Sequence, residues 1–171
     1  MTAQPRLLVI AFDAANASLV RTWASRGLLP NIACLMARGR TADMRGVDGF
    51  FTGSTWPSLL TSTGPARHGI HYLAQLATGT YEFARPHEAE YIRAPMFWEC
   101  LARAGKRLAI LDLPLTKPDP AIPGIQTVEW AGHDSIFGFQ TAPAGLRAEI
   151  LAAHGRHPVI PDCDRVGRTP E

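Results

Sequence analysis

The run Arg6-Leu7-Leu8-Val9-Ile10-Ala11-Phe12 is continuous in apolar residues and ends on Asp13. Strict alternation would mark a strand with one wet face. An unbroken run of this length predicts a strand buried on both faces, the habit of parallel sheets with helical crossovers. It leaves a carboxylate at the carboxyl end of the strand, the edge at which open α/β sheets bind ligands. A second run, Arg107 to Leu113, follows a helical pattern over Met96 to Ala104 that Pro95 opens and Gly105 stops, so the helix and strand alternate. Ile125 to Trp130 predicts a third strand and Ala142 to Ala153 a further helix. The expected fold is α/β, a mostly parallel sheet with helices on both faces.

The intervening segments fill in that plan. Ala14 to Arg26 reads as a helix with Leu19, Val20 and Trp23 at helical spacing, capped by Asn16 or Ser18 and ended by Gly27. Asn31 to Arg38 reads as a second, with Ile32, Leu35 and Met36 facing inward and Gly39 as its stop. Thr41 to Val47 predicts a modest strand, and Tyr81-Glu82-Phe83 with Glu90-Tyr91-Ile92 a hairpin across Arg85-Pro86-His87. Pro114 to Pro123 holds four prolines and is expected as an ordered loop or linker, because proline blocks helix continuation and central strands. The 171 residues suit a single domain, with residues 154–171 as an irregular tail.

Composition narrows the partners. A formal net charge of +2 without a Lys/Arg cluster argues against nucleic acid and against an anionic membrane surface. No segment approaches the roughly 18 apolar residues of a membrane span. Cys34, Cys100 and Cys163 are widely and irregularly spaced, which points to neither a disulfide framework nor a cysteine zinc site and fits a reduced, cytoplasmic setting. Met1 to Pro5 lacks the basic start, apolar stretch and cleavage site of a signal peptide.

The stretch from Phe50 to Ile70 is the chemically suggestive one. Hydroxyls and glycine (Thr52, Gly53, Ser54, Thr55) lead through Pro57 into a short apolar run that closes on Gly64-Pro65 and His68-Gly69, as a loop feeding a short helix would. A hydroxyl just before a helix lies among unpaired backbone N–H groups that stabilise phosphate oxygens and a developing alkoxide. The chain has no Gly-x-x-x-x-Gly-Lys phosphate loop, no Gly-x-Gly-x-x-Gly after the first strand, no His-Glu-x-x-His and no Gly-x-Ser-x-Gly elbow. The commonest nucleotide-triphosphate, dinucleotide, zincin and hydrolase-elbow readings are thereby removed.

Taken together, Phe12-Asp13, Gly27-Leu28-Leu29-Pro30-Asn31-Ile32 leading into Leu35-Met36-Ala37-Arg38-Gly39, Thr52 followed by Trp56-Pro57-Ser58-Leu59-Leu60-Thr61, and Pro65-Ala66-Arg67-His68-Gly69-Ile70 resemble the type I phosphodiesterase/nucleotide pyrophosphatase branch of the alkaline phosphatase superfamily. A weaker match continues from Phe97 to Thr116. One departure is Ser62, where family members often have glycine. A larger one is that the family's remaining metal ligands, aspartates and histidines that include an Asp-His pair, lie later in a longer chain. The resemblance thus implies the N-terminal part of an incomplete alkaline-phosphatase-like domain, with a C-terminal part as the complementing partner.

The resemblance implies Thr52 as nucleophile of a metal-dependent phosphohydrolase, Asp13 and Thr52 as metal ligands, and two divalent ions, zinc, in the complete protein. The substrate it implies is a phosphate ester or nucleotide-like small molecule; Gly53, His71 and Tyr72 are candidates to bind it. Each residue also has a plainer reading. Asp13 would serve as a helix cap, Thr52 as a loop residue, and His71 and Tyr72 as surface residues. His68 reads as ligand or general base, or as a structural histidine leaving a turn. Gly132-His133-Asp134 contains metal-binding residue types in the order opposite to the family's pair. Against the enzyme stands a catalytically silent α/β module that binds a phosphate-bearing ligand or a partner through the same loop.

Overall fold

A computed structural model describes residues 6–50, 53–72, 74–84, 92–131 and 138–158. The chain divides into two units, Met1–Arg45 and Gly46–Glu171.

In the first unit, local signals set the helices. Asn16 accepts the Leu19 N–H at 3.0 Å and starts α1, Ala17–Ser25, so Asn16 rather than Ser18 is the cap. Pro30 opens α2, Pro30–Arg38, where its missing N–H costs nothing, and the Gly39 N–H closes the helix on Leu35 O at 2.8 Å. Arg21 of α1 forms an ion pair with Asp43. Two expectations fail here. Arg6 to Phe12 enters no ladder among the described residues, and Leu8 is 81% and Ile10 67% exposed. Thr41 to Val47 is likewise no strand. Apolar content marks a segment able to be a strand, but a strand exists only where a neighbour takes its N–H and C=O groups. Leu35, expected to face inward, is 65% exposed.

The second unit holds the core. Its helices are α3 (Thr55–Thr61), α4 (Pro65–His68), α5 (Phe97–Arg103) and α6 (Leu146–His154). Helix α5 begins where the Glu99 carboxylate reaches back to the Met96 N–H at 2.7 Å, the reciprocal half of a capping box. Strand β3 (Leu108–Leu111) runs parallel to β4 (Gly124–Val128), and β4 pairs antiparallel with β5 (Gln140–Ala142), in the order β3-β4-β5. Among the described residues the sheet is therefore small and mixed, not mostly parallel. β5 was not expected: its three residues carry no apolar alternation, and the ladder with β4 makes it a strand. The hairpin also differs, since β1 (Gln75–Leu76) pairs with β2 (Phe83–Ala84) and Glu90 and Tyr91 lie outside the described residues.

Leu108 of β3 stands opposite Gly124 of β4, where φ is 132° and a Cβ would come within 1.9 Å of the Leu108 carbonyl oxygen. Only glycine lets the two backbones approach so closely. The crossover between them is the proline-rich loop, as expected. It is pinned by Gln126, buried in β4, whose amide donates to Asp119 O at 2.6 Å and accepts from Asp119 N at 3.0 Å. Leu60, Trp98, Ile110 and Ile122 form one buried cluster, and Ile70 with Leu115 a second. Trp56 of α3 packs against both, so the helix following the hydroxyl-rich loop is seated by its own tryptophan.

Candidate functional site

The hydroxyl-rich loop enters the described structure on either side of residues 51 and 52. Before it, Phe50 N donates to Val47 O at 3.1 Å to close a turn. After it, Gly53 is buried with φ at 103°, a conformation that suits glycine, and Ser54 is 1% exposed and precedes α3. Helix α3 has seven residues, so its dipole is that of barely two turns. Ser54, not residue 52, occupies its N-cap position.

Of the sequence candidates, Gly53, His71 and Tyr72 fall in the second unit, near this loop in sequence. Exposed His71 stacks its ring against Phe50 with centroids 5.7 Å apart. Its backbone is held from the other side: Gln75 accepts the His71 N–H at 3.0 Å and donates to Gly69 O at 3.0 Å. Tyr72 is 52% exposed. Thr52 lies outside the described residues, as do Gly132, His133 and Asp134. Asp13 belongs to the first unit, exposed in the turn between the 6–12 run and α1. The roles of Phe50 and Gln75 carry no signal in the sequence, because what marks them, a ring contact and a bifunctional amide, exists only after folding.

His68 is resolved in favour of the structural reading. The ring is fully buried, Nδ1 accepts the Ile70 N–H at 3.1 Å, and Nε2 lies 2.9 Å from Ser58 Oγ. Burial, and secondarily the charge of His71, push its pKa below the ordinary imidazole value. Both nitrogens are engaged by the protein, so neither is available to a metal.

Asp112 is a carboxylate the sequence did not single out. It follows β3 at the carboxyl end of a parallel strand, with φ at 50°. One oxygen accepts Thr127 Oγ1 at 3.1 Å and Trp130 N at 3.2 Å; the other accepts Ala131 N at 2.9 Å. Its work is to hold the exit of β4.

Asp13 and Thr52 offer a carboxylate and a hydroxyl, hard oxygen donors that fit a divalent ion in part. Among the described residues no group of three or more His, Cys, Asp or Glu side chains is placed to hold a metal. No helix among them is long and apolar enough to cross a membrane.

The second unit thus presents a glycine turn at Gly53, leading through buried Ser54 into a short helix seated by Trp56. The chain belongs to the type I phosphodiesterase/nucleotide pyrophosphatase family, whose model matches residues 7–156. Comparison with curated proteins and with solved structures found no match.

Proposed function

We propose that the chain carries the nucleophile of a metal-dependent phosphodiesterase or nucleotide pyrophosphatase, with Thr52 as that nucleophile and Asp13 as a metal ligand. The observation that carries this reading is the family match, which spans both residues. The Thr52 oxygen forms a bond to phosphorus while the bond to the leaving oxygen breaks, and the leaving group departs with the hydroxyl's proton. Water then cleaves the phosphothreonine, releasing the phosphoryl product and restoring the hydroxyl. Divalent ions, when bound, lower the pKa of the attacking hydroxyl and neutralise the non-bridging oxygens. Zinc commonly takes four ligands; Asp13 and Thr52 supply two, and we assign the remainder to a complementing part. The Phe50 and His71 rings, side by side beside the loop, are the proposed contact for the organic portion of a phosphate ester, with Gly53 leaving room for the phosphoryl group.

The test is hydrolysis of a chromogenic phosphate diester by the purified chain together with its complementing part, with and without added zinc, beside Thr52→Ala. We expect zinc-dependent turnover that falls at least ~10²-fold in the variant. Turnover equal in both proteins removes Thr52 from the chemistry. A folded chain without turnover that still binds inorganic phosphate at this loop would favour the silent binding module.

A further inference from the structure

The Ser58 and His68 side chains, 2.9 Å apart, have the separation of a serine nucleophile and its general base. The proton's location excludes that role. A general base must turn a lone pair toward the hydroxyl, yet the lone pair of this ring is at Nδ1, where the Ile70 N–H donates to it at 3.1 Å. A neutral imidazole has one proton, so it sits on Nε2 and is donated to Ser58 Oγ. The pair is a tether, and its two ends lead to different parts of the unit.

Ser58 lies one turn into α3, and its N–H donates to Ser54 O at 3.0 Å; Ser54 and Gly53 adjoin residue 52. His68 ends α4, and its carbonyl accepts Arg93 N at 3.0 Å, while Ile70 is anchored in the core. We propose that His68 is a positioning residue for the Gly53-Ser54 turn that follows residue 52, its Nε2–H bond to Ser58 fixing α3 and with it that turn. This rests on the reading of Thr52 as nucleophile.

The neighbourhood favours the neutral ring. Helix α3 has no ionisable side chain; α4 contributes Arg67, the loop after it His71, and the segment 92–95 Arg93. None is a carboxylate. An imidazolium would also turn an N–H on the Ile70 N–H, leaving two donors face to face in a buried site. Burial and His71 lower the pKa of the ring accordingly.

The experiment uses the full chain labelled with ¹⁵N. Long-range imidazole correlations at pH 7.5 are expected to show His68 protonated at Nε2 and bare at Nδ1; the opposite tautomer overturns the proposal. Three variants then locate the tether. Ser58→Ala removes its acceptor. His68→Asn retains an acceptor for Ile70 but not the donor to Ser58, and His68→Gln retains a donor at the Nε2 position. The amides of Gly53 and Ser54 are expected to shift in the first two and to stay in place in His68→Gln. Amides unmoved by Ser58→Ala overturn the tether. Diester turnover is read alongside: kcat of Ser58→Ala is expected to drop about ten-fold at unchanged KM, and an unchanged kcat overturns the positioning role. Should Thr52→Ala retain full turnover, the nucleophile assignment fails while the spectra still decide the tether.

Discussion

Ser62 closes α3 in the left-handed region, with φ at 54° and ψ at 30°. An L-residue there costs roughly 1–2 kcal/mol relative to its right-handed form. Ser62→Gly is therefore expected to stabilise the chain by up to ~1 kcal/mol, after the entropy that glycine adds to the unfolded chain, as read from urea unfolding. Two carboxylates show what a residue's place in sequence can and cannot tell. Asp13 attracted a ligand reading because it follows a strand-like run, yet Asp112, which follows a true parallel strand, spends its oxygens on Thr127, Trp130 and Ala131. Asp112→Ala leaves those donors without their acceptor and is expected to cost about 1–3 kcal/mol. For His68, whose folded pKa lies below its unfolded value of about 6.5, the unfolded chain binds the proton more readily. Its contribution is whole above pH 6.5 and declines as pH falls from there toward the folded pKa. The urea midpoint should thus drop between pH 7.5 and 5.5 in the unsubstituted chain, and less steeply in His68→Gln.

Among the elements, helices were legible and pairings were not. Asn16, Pro30, Gly39, Pro95 and Gly105 act on the backbone within a turn of themselves, so α1, α2 and α5 could be placed to within a few residues. Strands depend on partners distant in sequence. The runs at 6–12 and 107–113 look alike on paper, but among the described residues the second alone contains a strand, β3, with Gly124 to Thr127 beside it. β5 shows the converse, since a polar tripeptide became a strand because β4 presented an edge. The hydroxyl-rich loop could be located from its hydroxyls and glycine, whereas the contacts of Phe50, Gln75 and Ser58 could not, because each is made only in three dimensions. Leu60 is the element-level anchor of this region, 2% exposed between α5 and β3. Leu60→Ala should cost about 2–5 kcal/mol in the same unfolding assay.

At the scale of the whole chain, the apolar run 6–12 stands out because Leu7, Leu8, Val9, Ile10 and Phe12 are each 61–81% exposed. A contiguous exposed apolar stretch that enters no ladder among the described residues invites association. Light scattering at tens of micromolar should therefore report self-association of the purified chain, and the double substitution Leu8→Lys and Ile10→Lys should reduce it; scattering unaffected by the lysines would mean the run is covered in solution. The Gly124 contact carries a different kind of consequence, one for inheritance. Any single-base change of a glycine codon that alters the residue and keeps the reading frame open introduces a Cβ, and here each would meet the Leu108 carbonyl at 1.9 Å. Position 124 has no neighbouring allele that folds equally well, so a lineage can leave this glycine only by first prising β3 and β4 apart.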